Sequence, residues 1–176
     1  MIRSFTNLTR FTCGTIGQPG ERTFYLQFHS GYQTISLSLE KSQVAALGER
    51  LLFMLKEIRL AHPLAPKPSL NRDLLPLEMP LEDEFRIGSI AIFYDESSSL
   101  IQIDLRELDL GDDQEIELSS FDDVEVIRIF INVDQARTFA DRAELIVAAG
   151  RQPCPFCAFP IDPQGHLCAR ANGYRR

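Results

Sequence analysis

The stretch Thr23-Phe24-Tyr25-Leu26-Gln27-Phe28-His29, followed after Ser30-Gly31 by Thr34-Ile35-Ser36-Leu37-Ser38-Leu39, decides the fold class. In the first run Phe24, Leu26 and Phe28 alternate with Thr23, Tyr25 and Gln27; in the second, Ile35, Leu37 and Leu39 alternate with polar residues. Successive side chains of a strand point to opposite faces, so a period of two marks a half-buried strand, and the short turn predicts a hairpin. After Leu39 the period changes. Val44, Leu47, Leu51, Met54, Leu55 and Ile58 recur at spacings of three and four, which is one face of an amphipathic helix over about residues 40–60. His62-Pro63 ends it, because a residue before proline is pushed out of helical backbone.

Towards the N-terminus, residues 5–12 alternate weakly and predict one more strand, and Gly14, Gly17, Pro19 and Gly20 predict a turn. Towards the C-terminus, residues 61–84 carry Pro63, Pro66, Pro68, Pro76 and Pro80 without periodicity. They predict a connector docked on the surface through Leu74, Leu75 and Leu77. A second block then repeats the first. Strands are expected at 86–94, 100–106 and 124–133, with a strongly acidic loop over 109–123 between the last two. A helix is expected over about 134–149, with Asp134 as its N-cap and Phe139, Ala143, Ile146 and Val147 at helical spacing. Pairing Val44, Gly48, Leu51 and Leu52 with Phe139, Ala143, Ile146 and Val147 resembles an internal duplication. The expected class is α+β: an antiparallel sheet in two βββα halves, about 1–60 and 85–150, with both helices on one face. Residues 151–176 stand apart as a small C-terminal module.

A formal net charge of -7 disfavours nucleic acid as a default partner, since a phosphate backbone repels such a chain. No apolar run approaches the roughly 18 residues of a membrane span. Met1-Ile2-Arg3-Ser4-Phe5-Thr6-Asn7 has no apolar core of the signal-peptide kind, so a cytoplasmic location is expected. In that compartment thiols stay reduced, and clustered cysteines hold metal more often than they form disulfides.

Such a cluster ends the chain. Cys154-Pro155-Phe156-Cys157 is followed by His166-Leu167-Cys168, bringing together three of the four cysteines and one of the three histidines. Four such ligands close a tetrahedral zinc site and leave no position open for water or substrate, so a structural zinc held by Cys154, Cys157, His166 and Cys168 is expected. Iron would also accept thiolates, but a histidine mixed with cysteines favours zinc. A redox Cys-x-x-Cys pair would open a helix after a strand; Pro155, Pro160 and the lack of a following helical pattern speak against it. Beyond the ligands, Arg170, Arg175 and Arg176 with Tyr174 reverse the local sign of charge. This basic tail could grip an acidic or phosphorylated partner with Tyr174 as an anchor, or fold back on the acidic loop.

Other features are weaker. Gly14, Gly17 and Gly20 before Arg22 lack the Gly-Lys-Ser/Thr of a phosphate-binding loop, and a wide hairpin turn is expected. The acidic loop lacks the alternating ligands and central glycine of a calcium-binding loop. His29 and His62 have no catalytic partner in any motif, and Cys13 reads as a small half-buried residue.

The tail Cys154-Pro155-Phe156-Cys157, Pro160-Ile161-Asp162-Pro163, Gly165-His166, Cys168 and Arg170-Ala171-Asn172-Gly173-Tyr174-Arg175-Arg176 resembles an uncharacterised family common in actinobacteria and their relatives, the domain of unknown function family numbered 3090. Gly14-Thr15, Gly17, Pro19 to Gln27, and Leu39 to Val44 resemble its N-terminal part, so the likeness covers essentially the whole chain. Ala158 stands where such knuckles usually have glycine, and Ala169 where the family tail tends to have proline. The resemblance implies no established activity. It implies a gene context beside a phosphoinositide-kinase-like and a histidine-phosphatase-like protein, and so a protein partner in that pathway. The function expected is a non-enzymatic binding or adaptor protein whose zinc knuckle orders the basic tail. The alternative is an enzyme acting on a phosphorylated or other anionic small molecule, bound by Arg22, Arg170 or Arg175.

Overall fold

The computed structural model describes residues 1–18, 20–108 and 124–150, and in the C-terminal segment 154–157, 161, 165, 168 and 170. Among these residues, seven strands and two helices follow in the order β1 (Ile2–Phe5), β2 (Leu8–Ile16), β3 (Thr23–Ser30), β4 (Gln33–Leu39), α1 (Lys41–Ala61), β5 (Asp83–Asp95), β6 (Leu100–Glu107), β7 (Val126–Ile131) and α2 (Val133–Ala148). The class is α+β, as the two periodicities require. The expected acidic loop lies outside the described residues.

The strands form one sheet in the order β1-β7-β6-β5-β4-β3-β2. It is mixed, which corrects the expectation of an antiparallel sheet. The meanders β2-β3-β4 and β5-β6-β7 are antiparallel, but β5 lies parallel to β4 and β1 parallel to β7. Parallel neighbours need a long crossover. Helix α1 and the connector after it supply one, carrying the chain back to the starting end of β4.

The single N-terminal strand expected over 5–12 is two strands, β1 and β2, parted at Asn7, whose φ of 56° is left-handed. This break shapes the whole sheet. β1 and β2 stand at opposite ends of the strand order, yet only Thr6 and Asn7 separate them. Three Cα steps span at most about 11 Å, whereas the outer strands of a flat seven-stranded sheet would lie about 29 Å apart. The sheet must therefore curl until its ends meet. Across the interior, Phe5 of β1 packs edge-to-face on Phe28 of β3 with ring centroids 5.2 Å apart.

The core lies inside this curve. Phe24, Leu26 and Phe28 of β3, Ile101, Ile103 and Leu105 of β6, and Ile127, Ile129 and Ile131 of β7 are all buried in one cluster with both helices. Helix α1 buries Val44, Leu47, Gly48 and Leu51 after its cap residue Glu40; α2 buries Ala136, Phe139, Ala140 and Ala143 at the same distances after Asn132. The sequence pairing of Val44 with Phe139 is thus about one turn out of step. The helices approach closely where Gly48 meets Ala143: a β-carbon added at Gly48 would stand 3.0 Å from that of Ala143. Phe139 stacks on Phe11 at 4.4 Å. The cap of α2 is Asn132, whose side chain accepts from the Gln135 N–H at 2.9 Å. Asp134, expected at that position, lies inside the first turn and instead accepts the Ser69 backbone N–H.

The connector is a strap held by polar anchors. Thr138 of α2 donates to the Asn71 carbonyl at 3.3 Å, and Arg142 donates to the carbonyls of Asp73 and Cys13. Arg10 of β2 grips the Asp73 carboxylate with two hydrogen bonds, at 2.8 and 3.0 Å, and also donates to the carbonyls of Leu75 and Pro76. Buried Gln27 exchanges two hydrogen bonds with the Glu78 backbone. Of the leucines expected to dock the connector, Leu77 is buried against Gly14, but Leu74 and Leu75 are exposed. Polar anchors hold the connector there instead, with Arg10 donating to the backbone carbonyls of Leu75 and Pro76.

Candidate metal centre

Cys154, Cys157 and Cys168 come together. Their sulfur atoms all lie within 4.8 Å of one another, and the Cys154 and Cys168 sulfurs are 3.8 Å apart. A disulfide would require about 2.05 Å, so these two are separate thiols. Cys154 and Cys168 are buried and Cys157 is half-buried. Pro155, Phe156 and Cys157 form a turn, which swings the second cysteine back towards the first. Burial raises the Cys154 thiol, but hydrogen bonds from the backbone N–H groups of Cys157 and Phe156, and from the Cys157 and Cys168 side chains, outweigh it and hold the thiol below its ordinary range. The thiolate is the metal-binding form, so this environment favours coordination. Three convergent sulfurs could hold one metal ion. His166, expected as the fourth ligand, lies outside the described residues.

Of the tail residues, Arg170 is exposed and donates to the Phe156 carbonyl at 3.2 Å, tying the segment after the last cysteine to the turn between the first two. Tyr174, Arg175 and Arg176 lie outside the described residues. Arg22, weighed as an anion ligand, donates to the Ala149 carbonyl at 2.7 Å and so caps the C-terminal end of α2. Gly14 is a strand residue, and Gly17 and Gly20 take positive φ in the turn from β2 to β3. This is the hairpin expected there. His29 faces the Glu78 carboxylate at 3.5 Å, and His62 faces Glu96 at 3.3 Å.

Cys13, expected to be half-buried, is fully buried, and burial pushes its thiol up to about 12. The sequence reading also missed a cluster: Arg10, Asp73 and Arg142, all mostly buried, with Asp73 between the two guanidiniums. They come from β2, the strap and α2, and no spacing along the chain could join them.

Fold and centre together define an α+β protein with a three-thiol cluster in its C-terminal segment. The chain belongs to the family described as "Protein of unknown function (DUF3090)", which it matches over residues 3–168. No curated protein and no solved structure matches it. Among the described residues, no helix is long and apolar enough to cross a membrane.

Proposed function

We propose that the chain is a non-enzymatic adaptor, with a structural zinc held by Cys154, Cys157, Cys168 and His166, whose closed site orders the basic tail for contact with a protein partner. The sulfur separation carries this reading. Zinc–thiolate bonds of about 2.3 Å in tetrahedral array place sulfurs about 3.8 Å apart, and Cys154 and Cys168 stand at 3.8 Å. The fourth position falls to His166, two residues before Cys168. Zinc here would supply stability and no reaction step. Ordering a residue costs about 1–2 kcal/mol of backbone entropy, and the segment has few large apolar groups: Phe156, Phe159, Ile161, Leu167 and Tyr174. A structural zinc site contributes about 10–16 kcal/mol in small peptides. Arg170, Tyr174, Arg175 and Arg176 then present a local positive patch to an acidic or phosphorylated partner in a cytoplasmic kinase-like and phosphatase-like pathway.

The equal spacing of buried positions after Glu40 and Asn132 further supports two βββα halves of common origin. So do the matching register irregularities at Leu8/Arg10 in β2 and Ile87/Ser89 in β5.

The test is elemental analysis of the full chain purified without added metal, beside Cys154→Ser and Cys168→Ser. About one zinc per chain is expected, lost in both variants. Affinity capture from the native host, with and without residues 169–176, should then show a partner that depends on the tail. A metal-free protein with the C-terminal segment still resistant to protease would sink the zinc reading.

A further inference from the structure

The groove between α2 and β2 is in use, and a matching groove between α1 and β5 is open. Gln43 and Gln135 each stand three residues after a helix cap, and each reaches across to a strand: Gln43 donates to the carbonyls of Ile87 and Gly88, Gln135 to that of Leu8. Arg50 follows Gln43 at the same distance as Arg142 follows Gln135. In the α2–β2 groove the strap runs through as an extended segment, its carbonyls at Asn71 and Asp73 accepting from Thr138 and Arg142. The Asp73 carboxylate completes the fit, 3.5 Å from Arg142. The α1–β5 groove is lined by Ala46, Leu47, Arg50, Ser89, Ile90 and Ile92 and encloses about 340 Å³. No described residue outside α1 and β5 lines it.

We propose that this α1–β5 groove binds an extended segment of a partner protein, with one carboxylate among apolar residues, in the manner of Asn71–Pro76. Three features fit that occupant. Beyond the irregularity at Ile87/Ser89, β5 pairs with β6 on one side and, among the described residues, with no strand on the other, because its contact with β4 ends at Arg86. A bare strand edge is a template for extended backbone. Ile90 and Ile92 are half-buried and give an apolar floor. Arg50 stands at the rim, half-exposed and paired at 3.3 Å with an equally exposed Glu57; such a surface pair contributes little and exchanges readily for a partner's carboxylate. Ala46 stands where the other groove has Thr138, which leaves room for larger apolar side chains. The proposal is independent of the metal centre.

The probe is a fluorescein-labelled peptide with the sequence Ser69–Glu78, added to the full chain and followed by fluorescence anisotropy and by backbone amide NMR. Saturable binding is expected, with movement of the Ser89 and Ile90 resonances. Arg50→Glu should weaken it about tenfold or more through loss of a charge-assisted contact, and Ala46→Arg, at an exposed helix position, should abolish it. The proposal is overturned by no saturation up to about 1 mM, by indifference to both substitutions, or by shifts at Phe11 and Gln135 instead. It is equally overturned if Ile90 moves with protein concentration alone, which would make a second copy the occupant. Binding only after residues 169–176 are deleted would make the groove the seat of the chain's own tail, and would overturn it too.

Discussion

Replacing Asp73 with alanine tests whether polar anchors hold the strap. Three hydrogen bonds converge on this carboxylate: two from Arg10, at 2.8 and 3.0 Å, and one from the Leu75 N–H at 3.0 Å. The Arg142 guanidinium adds a second positive charge at 3.5 Å. Breaking a buried ion pair by removing one partner costs about 3–5 kcal/mol, because the other charge stays behind unpaired. The three side chains keep 12 to 14% exposure, so water recovers part of this, and about 2–4 kcal/mol is expected. For a chain of this size that lowers the melting temperature by about 4–16 °C. The effect depends on pH. Burial alone would raise the Asp73 pKa, but its hydrogen bonds, led by those from Arg10, favour the carboxylate more, so it lies below its ordinary value. A depressed acid contributes its stability above the unfolded pKa, about 3.9, and loses it as pH falls through the folded pKa. The gap between wild type and Asp73→Ala should be full at pH 7 and shrink below about pH 4. Urea unfolding at both pH values, with limited trypsin digestion at Arg72, measures this. An unchanged midpoint and unchanged cleavage at pH 7 would show that the strap is held otherwise, and the reasoning would fail.

Leu51 is fully buried and Ile146 only half-buried, so Leu51→Ala should cost about 3–5 kcal/mol and Ile146→Ala about half that or less; equal shifts in the unfolding midpoint would contradict the core drawn here. Cys13, with its thiol pushed up to about 12, should resist an aromatic disulfide reagent at pH 8 in a chain whose other three cysteines are serine, and react only once denaturant unfolds it, because the thiolate is the reactive form. Rapid modification of the folded chain would refute that.

The strands and helices were legible because their signals are local. The alternation of Phe24, Leu26 and Phe28, and the three-and-four spacing from Val44 to Ile58, need only one side facing water and one facing protein. The three thiols were legible for a related reason: Cys154 and Cys157 share a turn, and cysteine is rare enough that Cys168 stood out. The periodicity could not separate Leu51 from Ile146. Both fall on an apolar stripe, but α2 buries Phe139, Ala140 and Ala143 and leaves its last turn at the rim.

What the tertiary structure alone decided is which elements become neighbours. Parallel pairing of β1 with β7, and of β4 with β5, joins segments far apart in the chain, and a strand's alternation is the same whichever neighbour it has and whichever way that neighbour runs. The bond from Gln135 to Leu8 and the meeting of Arg10, Asp73 and Arg142 depend on the sheet curling until its ends touch. That curl follows from the short link at Asn7 only once β1 and β2 are known to occupy opposite ends of the strand order. Periodicity reports how one segment meets water, whereas strand order minimises the free energy of all segments at once, and no window of sequence contains that sum.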